Sequence, residues 1–328
     1  MKAVVFDKDA KHGMLYTDRP VPKPSATQVV VKVHAASLNH EYKLFKMMPG
    51  MAGKGAGWDV AGVVVALGAS VKTFAVGDAV YGFCDMGKKD GGSLCEYAVT
   101  QAAWVVKKPE AVSFTEAACL AVAGLTSLRA LQATGLKAGE KLILAGGSGG
   151  TGLFGIQMAK LLAPGAQVVT ICSDRNVELC KEVGADVVCS YTPGPEQLAA
   201  ALRAHAPFDC AYDTVSSPDD MAYEPVLRPV LKKNGMLVAI NGAMSDFMRA
   251  MFSASCFNIQ RRNFRILVLA PDAKIAPDLT QVGEWVAQKK VKVVVDSTVP
   301  FTAQGIEDGY SKILSRRPRG KVVCVMTP

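Results

Sequence analysis

Residues 141–160 read Lys-Leu-Ile-Leu-Ala-Gly-Gly-Ser-Gly-Gly-Thr-Gly-Leu-Phe-Gly-Ile-Gln-Met-Ala-Lys, and Gly147, Gly149 and Gly152 fall on a G-x-G-x-x-G spacing. Glycines at these intervals let a backbone turn tightly and come close to a phosphate, while the free amides of a following helix face its negative charge. The flanks fit that chemistry. The apolar run from Leu142 to Ala145 enters the turn as a strand, and an Ala/Leu/Ile/Met pattern leaves it as a helix that stops before Pro164-Gly165. A second apolar run, Gln167 to Cys172, follows. A strand–helix–strand unit of about 30 residues is the setting in which this spacing binds a dinucleotide pyrophosphate. The alternative is a glycine turn packed for its own sake. Ser148, Gly149, Gly150, Thr151 and Gly152 are therefore expected to bind a cofactor.

The end of the second strand discriminates between nicotinamide cofactors. A carboxylate there would bond the ribose 2′-hydroxyl of NAD and repel the 2′-phosphate of NADP. The chain reads Val168-Val-Thr-Ile-Cys-Ser-Asp-Arg-Asn176, so the tip is Cys172-Ser173 and Asp174 comes one or two residues late. Asp174 has a second role available, starting the next helix with its charge near the N-terminus. Ser173 offers a hydroxyl and Arg175 a guanidinium to a phosphate. NADPH is the expected cofactor, with Asp174 as the one residue that argues for NADH.

The elements that position these residues alternate strand and helix. Strands are expected near 141–145, 167–172, 186–189, 209–212, 236–240 and 264–270, with helices such as Asn176 to Val183 and Glu196 to His205 between them. Six strands with helical crossovers make an α/β domain with a parallel doubly wound sheet. Residues before it look largely β, in short apolar runs parted by glycine turns: Lys2 to Phe6, Gln28 to Ala35, Asp59 to Leu67, Asp78 to Phe83, Leu94 to Thr100 and Trp104 to Lys107. That is the pattern of a compact antiparallel barrel. Ser113-Phe-Thr-Glu116 is a capping box opening a helix to about Ala121, and Thr126 to Thr134 is a second helical segment. A helix from Leu279 to Gln288 and strands near 291–295 and 321–326 have no partners in the parallel sheet and are returned to the first domain. The expected domains are 1–122 with 272–328, and an inserted 123–271.

Composition narrows the classes. The 328 residues are 50% hydrophobic and 20% charged, enough for a sizeable core. No run approaches the ~20 apolar residues that span a bilayer, and the N-terminus enters a strand pattern with no targeting segment, so the cytoplasm is expected. The nine cysteines are irregularly spaced with no C-x-x-C, which reads as reduced thiols. The net charge of +8 is dispersed, with short pairs at Arg261-Arg262 and Arg316-Arg317, and nucleic acid is not an expected partner.

In order, Ala36-Ser-Leu-Asn-His40, Gly57-Trp-Asp-Val-Ala-Gly-Val-Val64, Val76-Gly-Asp-Ala-Val80, Ala123-Gly-Leu-Thr126, the glycine turn 146–152, Val183-Gly-Ala-Asp186, Asp209 to Thr214 and Arg319-Gly-Lys-Val-Val323 resemble the medium-chain dehydrogenase/reductase superfamily. The closer match is its zinc-free branch, the zeta-crystallin-type quinone oxidoreductases and related enoyl and alkenal reductases. The resemblance covers essentially the whole chain and implies a Rossmann sheet inserted into a GroES-like barrel domain. Zinc alcohol dehydrogenases place metal ligands where this chain has Asn39, Trp58 and Val122, and Phe83 to Cys95 is too short, with two cysteines, for a structural-zinc lobe. Asp59 and Glu41 could each ligate a metal but are expected in an ion pair or at the surface. No metal is expected.

Without a Lewis acid, an electron-poor quinone or conjugated enone is the fitting hydride acceptor, because hydrogen bonds to the developing oxyanion suffice. The resemblance further implies that Asn39 lies beside the nicotinamide ribose and that Thr126 contacts the cofactor, each with a plain alternative: a turn residue for Asn39, a helix cap for Thr126. It puts Tyr191 beside the 2′-phosphate, Asn241 at the nicotinamide, the backbone near Val268 on the carboxamide, and Lys321 near the cofactor, a surface charge being the alternative for Lys321. Tyr42 stands where the family has Asp and offers a phenol as proton donor, with packing as its alternative. Leu44 to Lys54, with three methionines and Phe45, forms either an apolar lip of the substrate cleft or a core-facing cluster. The apolar strand 264–270 is an expected sheet edge through which a homodimer would form. The competing functions are an NADPH-binding protein with little turnover, in a crystallin-like or RNA-binding role, and an alcohol dehydrogenase.

Overall fold

The computed structural model describes residues 1–41, 50–86, 88–217, 222–240, 242, 263–267, 269 and 272–326. The chain divides into two units: Met1–Leu125 with Pro271–Lys289 and Val293–Pro328, and Thr126–Ala270 with Lys290–Lys292.

The first unit begins with β1 (Lys2–Phe6) and β2 (Met14–Asp18), an antiparallel pair. Next come β3 (Gln28–Ser37), β4 (Asp59–Leu67), β5 (Ala79–Phe83), β6 (Tyr97–Gln101) and β7 (Val105–Lys107). Valine dominates β3 and β4, and its branched side chains pack well on a pleated surface. Val29, Val31, Val60, Val64 and Val80 join Phe6 and Leu94 in one core. α1 (Phe114–Ala117) opens with the expected capping box: Ser113 and Glu116 bond each other's backbone amides. The chain then winds through a wider π-type turn, Leu120–Gly124.

The second unit holds a six-stranded sheet. α2 (Leu125–Thr134) precedes β8 (Lys141–Ala145), α3 (Gly150–Leu162), β9 (Gln167–Cys172), α4 (Val177–Glu182) and β10 (Val187–Ser190). α5 (Pro195–His205), β11 (Phe208–Asp213), α6 (Glu224–Leu227), β12 (Leu231–Ala239) and β13 (Phe264–Ile266) complete it. The order is β10-β9-β8-β11-β12-β13, every pair parallel, the doubly wound arrangement the alternation predicts. β8 is buried from Leu142 to Ala145, as a strand covered on both faces must be. Of the expected strand 264–270, β13 occupies Phe264–Ile266, while residues 268 and 270 lie outside the described residues. Among the described residues, Ala239↔Ile266 is the last pairing of β13 with β12, and β13 is the last strand in the order.

The chain returns to the first unit through α7 (Ile275–Ala287), β14 (Val295–Pro300), α8 (Ala303–Leu314) and β15 (Lys321–Val325). β15 pairs with β3 antiparallel, so the C-terminal strand enters the N-terminal sheet. Its order is β14-β15-β3-β4-β5-β7, with β6 also on β3. Two expectations change here. The strand placed at 291–295 lies at Val295–Pro300 and runs parallel to β15, so the sheet is not wholly antiparallel. A parallel pair needs a crossover, and the unexpected α8 supplies it, capped by Thr302 and burying Ile306, Tyr310 and Ile313. No helix among the described residues is long and apolar enough to cross a membrane.

Candidate functional site

β8 delivers Ala145 to Gly146, whose φ of +85° suits glycine. Gly146 and Gly147 both donate their amides to Ile171 O at 3.0 Å, which clamps the turn to the end of β9. The fingerprint glycines divide by cause. A Cβ on Gly147 would fall 2.1 Å from Thr170 Oγ1, and one on Gly152 would fall 2.1 Å from Gly146 O, so packing within the unit excludes a side chain at both. A Cβ on Gly149 would meet nothing closer than Gly146 O at 3.6 Å, and its φ is −77°. Neither packing nor backbone requires glycine there, so the turn is open at that point. Gly149 caps the 13-residue α3 without a side chain, and the first-turn amides, those of Gly150, Thr151 and Gly152, have no partner within their own helix. The turn fits a dinucleotide pyrophosphate on geometry as well as spacing.

Ser173 and Tyr191 are brought together by strand register. Ser190 pairs with Cys172, and Tyr191 N donates to Cys172 O at 3.1 Å. Ser173 is half-buried; Asp174, Arg175 and Tyr191 are exposed. Asp174 lies in the first turn of a short 3₁₀ segment leading into α4, the helix-starting position considered for it. Thr126 is buried inside α2 as its second residue, so the capping alternative is excluded. Its neighbour Ser127 donates to Thr151 O at 2.7 Å, tying α2 to the start of α3.

Sequence reasoning missed Asn176. It is 3% exposed, and its Nδ2 donates to Ser148 Oγ at 2.9 Å and to Ser173 Oγ at 3.2 Å. Its Oδ1 is buried without a partner. One amide thus bridges the glycine turn and the end of β9. In the sequence Asn176 stands at the start of an expected helix, and nothing local to it marks this bridge. At the end of β11, the buried Asp213 accepts from Val215 N at 2.9 Å, Ser216 N at 3.1 Å and Ser216 Oγ, while burial pushes its carboxyl upward. Thr214 Oγ1 donates to Ala145 O at 2.8 Å beside the glycine turn.

The first unit contains a separate buried polar cluster. Asp59 Oδ2 accepts from Ser37 Oγ at 2.5 Å and from Asn39 Nδ2 at 2.8 Å, and Asp59 Oδ1 accepts from Val122 N, in the wide turn, at 2.6 Å. Lys321 Nζ donates to Asn39 Oδ1 at 2.6 Å and to Leu38 O at 3.1 Å, and lies 3.8 Å from Asp59 Oδ2. Glu41 Oε2 accepts from Asn39 N at 3.0 Å and from Tyr310 OH at 3.3 Å. Burial pushes the Glu41 carboxyl upward, with Lys321 and backbone donors pulling it down. Asp59 and Glu41 are both fully buried, so the surface role considered for them is corrected, and Asp59 has the ion pair that was its other alternative. Lys321 is 7% exposed, which excludes the surface-charge alternative. The reason is topological: β15 runs beside β3, whose last residue, Ser37, stands two positions before Asn39.

Tyr42, Asn241 and Val268 lie outside the described residues, as does most of the methionine-rich segment; of its members, Met51 packs in the core of the first unit. Cys256 also lies outside them, and the other eight cysteines are buried and form no disulfide with one another. Among the described residues, no group of three or more His, Cys, Asp or Glu is placed to hold a metal ion.

Comparison with known proteins agrees with this architecture. Residues 25–110 match the alcohol dehydrogenase GroES-like domain, and residues 183–324 match the family described as zinc-binding dehydrogenase. The chain is 34% identical to a chloroplast envelope quinone oxidoreductase homolog of Arabidopsis thaliana, over 95% of this chain and 93% of that one. It is 30% identical to the chloroplastic NADPH-dependent alkenal/one oxidoreductase of the same plant, over 94% and 74% of the two chains. Among solved structures, the quinone oxidoreductase of Coxiella burnetii superposes with a TM-score of 0.81 at 26% identity, covering 100% of this chain and 99% of the other.

Proposed function

The chain belongs to the medium-chain dehydrogenase/reductase family and is an oxidoreductase of it, and from that premise we propose that it uses NADPH to reduce a quinone or an α,β-unsaturated carbonyl without zinc. The observation that carries the cofactor preference is the Asn176 bridge. Its buried amide holds the Ser148 and Ser173 hydroxyls beside one another, at 2.9 Å and 3.2 Å, as a pair of groups that can bond a phosphate. Arg175 adds a guanidinium at the same strand end, and Tyr191 an exposed ring.

NADPH, when bound, supplies the hydride. The amides of Gly150, Thr151 and Gly152 would hold its pyrophosphate, Ser148, Ser173, Arg175 and Tyr191 would serve its 2′-phosphate, and Thr126 would be a further cofactor contact. Asn39, Asn241 and Val268 would serve its reacting end, and Tyr42 is the candidate proton donor. The positions where zinc relatives carry ligands hold Asn39, Trp58 and Val122, none of which binds zinc readily. An electron-poor substrate suits that chemistry, and the names of the relatives, quinone oxidoreductase homolog and alkenal/one oxidoreductase, support it.

The test mixes the protein with NADPH and a panel of quinones and enones and follows absorbance at ~340 nm, with NADH in parallel. Turnover with at least about tenfold preference for NADPH is expected; flat traces across the panel would sink the reading. The last strand in the sheet order, β13, supports a homodimer, which a monomer mass in sedimentation would refute.

A further inference from the structure

Asn39 lies where two opposite charges meet. Its Oδ1 accepts from the Lys321 ammonium at 2.6 Å, and its Nδ2 donates to Asp59 Oδ2 at 2.8 Å. Ser37 O at 3.3 Å and Glu41 Oε1 at 3.4 Å stand as acceptors for the second Nδ2 hydrogen. Lys321, Asp59 and Glu41 are buried, whereas Asn39 is half-buried. The oxygen and nitrogen of an amide are told apart only by their partners. Here the partners leave no choice, because an ammonium has no acceptor and an ionised carboxylate has no donor. Turned over, the amide would set Nδ2 against Lys321 and Oδ1 against Asp59, two repulsive contacts in a low-dielectric cluster.

We propose that Lys321 is a positioning residue: with Asp59 it locks the Asn39 amide in one orientation, leaving the second lone pair of Oδ1 as the capacity Asn39 offers a ligand. Asn39 therefore acts as an acceptor. The ligand group it fits is an O–H or N–H of cofactor or substrate, and a developing oxyanion is not such a group. The inference rests on the proposed reaction and on Asn39 taking part in it. It differs from two simpler roles for Lys321, a counter-ion that only neutralises Asp59 and a direct contact to the cofactor.

Wild-type turnover is measured first; its absence would fail the proposed reaction rather than this inference. With turnover established, Lys321→Met is expected to lower kcat by at least about 30-fold while KM for NADPH stays within about threefold. A loss confined to KM would make Lys321 a cofactor contact and overturn the inference. The charge-balanced double variant Lys321→Met/Asp59→Asn is expected to regain the thermal midpoint but not kcat, and recovery of both would leave only the counter-ion role. In an Asn39→Ala background, Lys321→Met is expected to cost less than about threefold more in kcat, since the residue it positions is already gone. A further loss as large as in the wild type would overturn the inference even if the double variant does not fold. The exchange Asn39→Asp/Asp59→Asn keeps an acceptor at position 39 and is expected to lose less kcat than Asn39→Ala. Equal losses would refute acceptor action.

Discussion

Asn176 Nδ2 donates to Ser148 Oγ at 2.9 Å, tying the segment after β9 to the turn after β8. Consecutive strands of a parallel sheet end on the same side, so their loops become neighbours although 28 residues separate the two side chains. With the 3.2 Å bond to Ser173 Oγ, it also holds two hydroxyls beside one another at the end of the strands, where a phosphate could bond both.

Replacement of Asn176 by Ala should therefore act on the cofactor more than on the fold. The variant loses two hydrogen bonds and also removes a buried carbonyl oxygen without a partner, so stability should change by no more than about 1 kcal/mol. The KM for NADPH should rise about tenfold, with a smaller change for NADH. Steady-state kinetics with both cofactors checks this, and equal changes for the two would contradict it.

Gly147 and Gly149 should part company on substitution by Ala. At Gly147 the methyl would strike Thr170 on β9, so Gly147→Ala should lower stability by about 1–3 kcal/mol. At Gly149 the methyl meets only an ordinary contact, so the unfolding midpoint should hold while dinucleotide affinity falls. Thermal unfolding and cofactor titration of the two variants make the comparison; a midpoint loss at Gly149 as large as at Gly147 would refute the assignment.

The buried Glu41 predicts a pH dependence of stability. Burial raises its carboxyl above the ordinary value of 4.5, with Asp59 pushing the same way and Lys321 and backbone amides opposing. A folded-state value above the unfolded one means stability present at low pH that is lost as pH rises through the folded value. Glu41→Gln removes that loss. Its stability relative to wild type should rise between about pH 5 and the folded value, by at most about 1.4 kcal/mol per pH unit. Denaturant unfolding across that range checks the slope, and a flat difference would exclude Glu41 as its source.

The thiols should differ in reactivity. Burial holds Cys95, Cys119, Cys210 and Cys324 at about 12, whereas a hydrogen bond from Cys180 lowers Cys172 against the opposing effect of its own burial. Iodoacetamide at mildly alkaline pH should therefore modify Cys172 before those four, because the thiolate is the nucleophile. Peptide mapping over time gives the order. Earlier labelling of any of the four would contradict it.

Local pattern determined a good part of this protein. The glycine spacing, the apolar strands around it and the Ser113-Glu116 box could be read residue by residue, because turns, caps and buried strands are set by neighbours in sequence. The doubly wound sheet followed from the alternation of elements. α8 escaped although Thr302 caps it and Ile306, Tyr310 and Ile313 sit at helical spacing, since a parallel β14–β15 crossover was not foreseen.

Tertiary structure alone decided which polar residues meet. Lys321 and Asn39 are 282 residues apart, and only the pairing of β15 with β3 brings them to 2.6 Å. A lysine opening a C-terminal strand carries no mark of burial until the carboxylate that compensates it is in view. The same holds for Glu41, expected in an ion pair or at the surface, which is buried and accepts a hydrogen bond from Tyr310 of α8. Sequence spacing specifies elements because their hydrogen bonds are local; it does not specify charge partners, because those are chosen by strand register across the whole chain.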